Sequence, residues 1–373
     1  MGKPRNFSDS FLVDIVNNFL IQGTVDSIRP FGSGHINDTF LVKTMEDIAP
    51  DYLLQRKNHY VFKDVPGMMD NIRRVTDHIR KKLEDVKGAN PDKEVMTLIS
   101  TTKGHWYIKD PEGNYWSLFL FIPDTVSYDV VDDASITYEG GRAFGRFQHF
   151  LADLPQPPLN VTIVDFHNMA WRFDNFHKAL KADTKGRADY ARKEIDFTLA
   201  REDEMVSYYK GLCDNLPERI THNDTKFNNI LFDNKGRAQC IIDLDTVMPG
   251  YVAYDFGDSI RTAANTGEED DPDLNKVGFN RPVYRNFTEG FISEIRNTLL
   301  KEEIESLPFG ARYMTFIMGI RFLTDYLEGD IYYKISDPDQ NIRRVRSQHK
   351  LINSMEEHFE EMQEVVRAAA SKM

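Results

Sequence analysis

The stretch Ile220–Asp245 constrains this chain more than any other. It reads I-T-H-N-D-T-K-F-N-N-I-L-F-D, a short turn, then A-Q-C-I-I-D-L-D. Within it lie His222-x-Asp224-x-Lys226-x-x-Asn229 and an apolar run that ends in Asp243, nineteen residues after Asp224. That spacing predicts a loop, a strand, a tight turn and a returning strand, a hairpin that brings both carboxylates to one edge of a small sheet. The residue types suit phosphoryl transfer. A carboxylate can accept the proton of an attacking hydroxyl, and a lysine can neutralise charge growing on the transferred group. An amide oxygen and a second carboxylate can hold Mg²⁺ against the phosphates. His222 is expected to fix the loop through hydrogen bonds rather than to carry protons. An isolated H-x-D would be weak; the whole set in this order is specific.

Length and charge bound the rest. A chain of 373 residues is too long for one ordinary core, so two or three lobes are expected. The formal net charge of −13 argues against nucleic acid, which needs a basic face. No apolar run reaches the ~18 residues that a membrane span requires, and the N-terminus M-G-K-P-R-N lacks the apolar core of a signal peptide. Asn6 stands where a myristoylation signal needs Ser or Thr. The two cysteines, Cys213 and Cys240, have no metal-ligand spacing and fit a reducing compartment. A cytoplasmic, monomeric chain is the expectation.

In order, a helix is expected at 9–22, then strands at Val25–Pro30, Ile36–Lys43 and Tyr52–Lys57. Between the first two strands, F-G-S-G-H-I-N (31–37) offers two glycines that can let backbone N–H groups approach phosphates, or can form an ordinary hairpin turn. A helix at Asp64–Val86 precedes strands at Val95–Ile99, His105–Lys109 and Tyr115–Ile122. The last, Y-W-S-L-F-L-F-I, is apolar throughout and ends at Pro123. It could serve as a hinge that offers backbone groups to a purine ring. From about Ser135 the periodicity turns helical: Tyr138–Leu151, with G-G-R-A-F-G-R-F suggesting close packing, then Phe166–Leu180 and Ala188–Leu212. After the central stretch come helices at Tyr254–Ala264, Tyr284–Leu300, Arg312–Leu327 and Val345–Ala370. The boundary between a nucleotide-binding lobe (1–123) and a catalytic, substrate-binding lobe (124–373) is placed at Pro123.

Asp255-Phe256-Gly257 spells the D-F-G of protein kinases, but it lies 31 residues after Asp224 and starts a helix. Asp243 is the better metal ligand. Asp255 and Asp258 are expected to orient the catalytic loop. Asp245 is left open between a supporting group and a second metal ligand. In I-R-F-L-T-D-Y-L-E-G-D-I-Y-Y (320–333), Arg321, Asp325, Asp330 and Tyr332 could line a sugar site; the plain alternative is a core helix in which Arg321 pairs with a carboxylate.

The H-x-D-x-x-x-x-N and I-D pattern resembles the aminoglycoside phosphotransferase and choline kinase superfamily. Within it the chain resembles the N-acetylhexosamine 1-kinases, through G-H-I-N (34–37), T-V-S-Y (125–128), T-H-N-D-T-K (221–226), N-N-I-L (228–231) and I-I-D-L-D-T (241–246). M-P-G (248–250), D-F-G-D-S (255–259) and Y-L-E-G-D-I-Y (326–332) extend the likeness over nearly the whole chain. The resemblance implies an α+β, protein-kinase-like fold with an antiparallel sheet lobe and a larger helical lobe. It implies ATP-dependent phosphorylation of the C1 hydroxyl of N-acetylglucosamine or N-acetylgalactosamine with Mg²⁺. Asp224 becomes the base, aided by Lys226, and Asp243 with Asn229 the metal ligands. Gly32, Ser33, Gly34, Gln55, Phe121 and Ile122 fall at the nucleotide; His35, Asp224, Arg321, Tyr332, Thr246 and Thr262 fall at the sugar. Two departures stand out. Gln55 occupies the place where the superfamily usually has a phosphate-binding lysine, with Arg56 and Lys57 just beyond; Thr262 is small where an aromatic is expected.

Competing expectations are a kinase for another small hydroxyl substrate (a hexose, choline, homoserine or an aminoglycoside) and a non-catalytic pseudokinase. A protein kinase is disfavoured because the third glycine of G-x-G-x-x-G, the V-A-I-K strand and an A-P-E segment are missing.

Overall fold

Residues 7–32, 36–129, 131 and 133–372 are described by the computed structural model. The first third of the chain builds a five-stranded antiparallel sheet whose middle strands, β2 and β5, are buried continuously at their centres. Ser8 caps α1 (Asp9–Val16) by accepting from Phe11 N. Then follow β1 (Val25–Pro30), β2 (Asp38–Thr44), β3 (Tyr52–Lys57), α2 (Val65–Glu84), α3 (Pro91–Glu94), β4 (Ile108–Lys109) and β5 (Tyr115–Leu120), with strand order β1-β2-β3-β5-β4. One face of the sheet, with Val42, Leu54, Trp116 and Leu118, packs on Leu12, Ile15 and Val16 of α1. Phe119, from the other face, packs with the apolar stripe Met68, Met69, Ile72, Val75 and Ile79 of α2.

The expected strand at Val95–Ile99 does not form as an element: a bridge from Leu98 to Phe119 and the bonds from Ile99 N to Leu118 O and from Leu120 N to Thr97 O are what remain of its pairing with β5. The expected strand 105–109 shortens to β4. The reason is the short partner. β5 has six residues, and β4 takes Trp116 and Tyr115 while Leu98 takes Phe119.

The chain crosses over at β6 (Thr125–Val126) and becomes mainly helical: α4 (Ala134–Leu151), α5 (Met169–Ala182), α6 (Arg192–Leu199) and α7 (Glu202–Asn215). β7 (Arg219–Thr221), β8 (Ile230–Asp233), β9 (Ala238–Ile241) and β10 (Met248–Gly250) surround the central stretch, and α8 (Val252–Ala263), α9 (Arg281–Ile295), α10 (Lys301–Glu328), α11 (Gln340–Glu357) and α12 (Phe359–Ser371) close it. The G-G-R-A-F-G pattern is explained by α4 against α9. A Cβ on Gly141 would sit 2.1 Å from Phe287 O and one on Gly145 2.4 Å from Phe291 O, so only glycine allows this approach.

Several helices differ from their expected bounds: α1 ends at Val16 rather than at 22, α5 starts at Met169 rather than at Phe166, and α9 runs over Arg281–Ile295 rather than 284–300. Residues 188–212 divide into α6 and α7 at Ala200–Arg201, where the Arg201 side chain turns to Glu356 at 2.9 Å and lies over Phe197. Residues 345–370 divide into α11 and α12 at His358. α10 begins at Lys301 rather than near Arg312, because Pro308 removes one N–H from the ladder without ending the helix. Among the described residues, no helix is long and apolar enough to cross a membrane.

Candidate active site

The loop from His222 to Asn229 is held by four surrounding elements. β7 pairs with β10, setting Thr221 opposite Met248. Past β7 the backbone turns at Asn223, whose φ of +65° is unusual for a residue with a side chain. That conformation is fixed from α8: the buried Asp255 carboxylate accepts His222 N–H and Asn223 N–H, each at 2.8 Å, and also the Gln148 side-chain amide. The Asp255 carbonyl accepts the Thr225 hydroxyl at 2.6 Å. The D-F-G therefore lies in the opening turns of α8, where Asp255 clamps the loop from His222 to Asn229. Its glycine serves packing, since a Cβ on Gly257 would meet Gly310 O of α10 at 2.2 Å.

His222 is fully buried against Phe144 and Phe147. Its Nε2 lies 2.9 Å from Ile242 O, and its Nδ1 accepts the Asp224 N–H at 3.3 Å. A carbonyl can only accept, so Nε2 carries the proton and the neutral ring ties the loop to the end of β9.

Asp224 faces the cleft with about a quarter of its side chain exposed, paired with Lys226 Nζ at 2.9 Å. Burial pushes the Asp224 carboxyl up, but the charge and hydrogen bond of Lys226, with Arg261 behind it, outweigh it and hold it below its ordinary value. The carboxylate is thus ionised and can take a proton. Asp224 in turn raises the Lys226 ammonium above its usual range. Asn229 Nδ2 donates to Asp224 O at 2.8 Å and to Oδ2 at 3.3 Å, which leaves its amide oxygen available.

The hairpin β8–β9 pairs Leu231 with Cys240, and Ile242 N donates to Asn229 O, so Asp243 emerges beside Asn229. Asp243 adopts φ +60° and its side chain stays open to the cleft. Burial by the surrounding chain, then the charges of Asp245 and Asp224, push its carboxyl up to about 6, against the pull of Lys57. A carboxylate crowded by two others, next to a free amide oxygen, is an oxygen donor set that fits a hard divalent cation.

Gln55 and Lys57 alternate onto one face of β3, and Lys57, not Gln55, is the buried cation. Its Nζ donates to Asp245 Oδ1 and to Gln55 Oε1, both at 2.7 Å. The other Asp245 oxygen takes Asn37 Nδ2 at 2.7 Å. Period-two spacing was the signal that could have singled out Lys57. At the hinge, Phe121 N donates to Asp51 O at 2.9 Å and the Phe121 ring meets Phe31 edge-on at 5.7 Å. Gly32 has φ +77° and nothing within 4 Å of where a Cβ would lie. Ser33, Gly34 and His35 lie outside the described residues.

On the other side, Arg321 of α10 spreads its guanidinium over Phe166, Tyr333 and Tyr332, at 5.2, 5.6 and 6.0 Å. Its polar contact is Met318 Sδ at 3.2 Å, and among the described residues no carboxylate pairs with it, unlike the plain alternative. Asp325 shapes this wall by accepting Tyr332 N–H at 2.7 Å and Tyr333 N–H at 3.0 Å. Two residues unremarked in the sequence join it. His167 is buried, and burial, then Arg321 and Arg172, hold it well below its ordinary pKa and so neutral. Arg172 donates to Phe166 O at 2.6 Å; burial and the charge of Arg321 bring it down to about 9. No spacing rule marks H-x-x-x-x-R, so neither residue was legible.

Thr246 and Thr262 are placed differently from a free pocket rim. The Thr246 hydroxyl donates to His222 O at 2.7 Å, and Thr262 bonds back to Asp258 O and Ser259 O within α8. A separate cavity of about 310 Å³, lined by Glu94, Arg142, Phe147, Cys240 and Leu244 among others, contains none of the expected site residues.

Residues 27–287 match the model of the phosphotransferase enzyme family. Among solved structures, the chain is similar to a microcompartment-associated aminopropanol kinase (13% identity, 95% of this chain and 98% of that one, TM-score 0.65). It is also similar to an aminoglycoside phosphotransferase from Alicyclobacillus acidocaldarius (11%, 96% and 98%, 0.62) and to an amicoumacin kinase in complex with AMP-PNP and Ca²⁺ (12%, 93% and 94%, 0.59). At these identities the likeness is one of fold: an antiparallel sheet lobe followed by a helical part, the protein-kinase-like α+β arrangement. Matched over more than half its length by the family model, this chain belongs to the phosphotransferase enzyme family.

Proposed function

We propose that the protein transfers the γ-phosphoryl group of ATP to the C1 hydroxyl of an N-acetylhexosamine, N-acetylglucosamine or N-acetylgalactosamine. Residues 1–123 form the nucleotide-binding lobe and 124–373 the catalytic and sugar-binding lobe. Asp224 accepts the proton of the attacking hydroxyl, and its low pKa matches a base that acts late, as charge passes from acceptor to phosphoryl. Lys226, already paired to Asp224, stands ready to follow the charge onto the transferred group. Mg²⁺, held by Asp243 and the Asn229 amide oxygen, would neutralise the phosphates. Asp255 and His222 keep Asp224 in position, which is where much of the rate in this chemistry originates.

One observation carries the acceptor class. Among the described residues, Arg321 and Arg172 stand beside His167 with no carboxylate paired to either. Two unanswered guanidinium charges repel a cationic amine and favour an acceptor rich in hydrogen-bond-accepting oxygens. Tyr332 is exposed beside Arg321 and offers aromatic surface suited to the apolar face of a sugar. The motifs T-H-N-D-T-K and Y-L-E-G-D-I-Y, which resemble those of N-acetylhexosamine 1-kinases, narrow the sugar.

A panel tests this: ADP release from ATP and Mg²⁺ with N-acetylglucosamine, N-acetylgalactosamine, glucose, galactose, choline, ethanolamine, 1-amino-2-propanol and homoserine. Turnover with the two N-acetyl sugars and none with the amines is expected. Preference for an amine would overturn the reading.

A further inference from the structure

We propose that Asn341 of α11 is a positioning residue for the acceptor. It keeps the Asp325 carboxylate turned onto the backbone of Tyr332 and Tyr333 and away from Arg321, which leaves the Arg321 guanidinium to the substrate. The inference rests on the reading of Arg321 and Tyr332 as the acceptor wall.

Arg321 and Asp325 stand four residues apart on α10, the spacing at which opposite charges on a helix meet. They do not pair. The polar contact of Arg321 is Met318 Sδ, and its guanidinium lies over aromatic rings. Both Asp325 oxygens are spent elsewhere. Oδ1 accepts Tyr332 N–H at 2.7 Å, and Oδ2 accepts Tyr333 N–H at 3.0 Å and Asn341 Nδ2 at 2.8 Å. Asp325 is 3% exposed, and among the described residues no cation pairs with it. Two backbone N–H groups and one amide answer its charge. A buried carboxylate is costly unless its donors are kept, and Arg321, one turn away, is the partner it would gain by letting go.

The chain reaches this geometry through a turn. α10 ends at Gly329, with φ +99°, and Asp330 follows with φ +61°. Gly329 N–H and Asp330 N–H both donate to Asp325 O, at 3.0 and 2.8 Å, and the returning chain brings the two tyrosine N–H groups onto the Asp325 side chain. Asn341 ties this turn from outside. Its Nδ2 donates to Asp325 and also to Asp330 Oδ1 at 2.9 Å, while its Oδ1 accepts Arg344 Nη1 at 3.0 Å. A guanidinium only donates, so the amide oxygen faces Arg344 and the N–H pair faces the carboxylates. Asp330 has a cation of its own, Arg187 at 2.5 Å; Asp325 has Asn341. Asn341 is 0% exposed, so its place is closed to solvent. Without it, Asp325 loses one of three donors and regains a charged one by turning to Arg321. The guanidinium then belongs to an internal ion pair and not to the acceptor.

The test is steady-state kinetics with N-acetylglucosamine and ATP on the wild type, Asn341→Leu, Arg321→Gln and the double variant, with thermal unfolding alongside. Asn341→Leu should raise the KM for the sugar about tenfold, within the worth of one charge-assisted contact, and leave the KM for ATP near its wild-type value. The double variant should have a sugar KM no higher than that of Arg321→Gln alone, because both changes act through one guanidinium. Tyr284→Phe removes a buried hydrogen bond to Met362 O between α9 and α12, at 3.1 Å. It should lower the unfolding temperature and leave the sugar KM unchanged; a matching rise there would mark a merely structural effect and overturn the proposal. A wild-type sugar KM in folded Asn341→Leu, with a raised one in Arg321→Gln, would overturn it and leave the acceptor reading standing, as would additive effects in the double variant. If Asn341→Leu does not fold, Asn341→Ser, whose hydroxyl donates to one carboxylate at most, is judged by the same criteria. An unchanged sugar KM in Arg321→Gln, or no turnover of the sugar by the wild type, would overturn the acceptor reading and this inference with it.

Discussion

Replacing Asp255 by Ala should separate loop geometry from metal and nucleotide binding. The buried carboxylate accepts two backbone N–H groups, from His222 and Asn223 at 2.8 Å, and the Gln148 amide. Each buried donor left unpaired costs about 1–3 kcal/mol, so three of them place the loss at roughly 3–9 kcal/mol before relief, toward the lower end where water enters the new space. That is a large share of the ~5–15 kcal/mol typical of a folded domain, yet the chain should remain folded at low temperature. The larger effect is on catalysis. Asn223 holds φ +65° in part because Asp255 grips its N–H. Once released, the loop can relax toward ordinary backbone geometry and carry Asp224 out of line, and a displacement of about 1 Å costs on the order of 10²-fold in rate. Steady-state kinetics and urea unfolding read both effects. The expected pattern is a kcat lower by about 10²-fold, a KM for ATP near the wild-type value, and a lower unfolding midpoint. Asp255→Asn, which keeps one acceptor oxygen, should fall between. Wild-type kcat in folded Asp255→Ala would refute the claim that α8 sets the catalytic loop.

Asp224→Asn should lower kcat by about 10²–10⁴-fold while nucleotide still binds, measured as AMP-PNP affinity by calorimetry. Asp243→Asn should abolish metal-dependent turnover yet stabilise the metal-free chain at neutral pH. The folded carboxyl sits at about 6, above its unfolded value, so it favours the fold when protonated and that contribution is lost as pH rises from about 4 through 6. A shift of about two units corresponds to ~3 kcal/mol in full; for a side chain this open to solvent, about 1 kcal/mol is expected after screening. Unfolding of the metal-free chain from pH 4 to 8 should show the variant gaining on the wild type as pH rises. Arg321→Gln should raise the acceptor KM by ~10–100-fold, the worth of one charge-assisted contact, and leave the KM for ATP unchanged.

The sequence was most readable where chemistry and period agreed. H-x-D-x-K-x-x-N followed by an apolar run defined a loop and a hairpin, and β8 and β9 pair as that spacing requires. The D-F-G could be set aside because its glycine and aspartate fell at a helix start, where Asp255 now grips the loop. What stayed hidden depended on distant partners. Lys57 looked like one of three polar residues ending a strand, and only Asp245, 188 residues later, makes it a buried cation. His167 lies in the turn before α5 and Arg172 in its first turn, and the pattern there reports burial and not the Arg321 that lies against both. The broken helices at Ala200 and His358 follow from tertiary contacts such as Arg201 to Glu356, which local propensity does not encode.

The central claim is that a sugar hydroxyl at C1 is the nucleophile beside Asp224. The most direct measurement gives the enzyme ATP, Mg²⁺ and either an N-acetylhexosamine or its 1-deoxy analogue, and follows the product by ³¹P NMR. The account predicts a new phosphorus signal coupled to the anomeric proton with the sugar, and no product with the analogue. Phosphorylation of the 1-deoxy analogue at a comparable rate would contradict it.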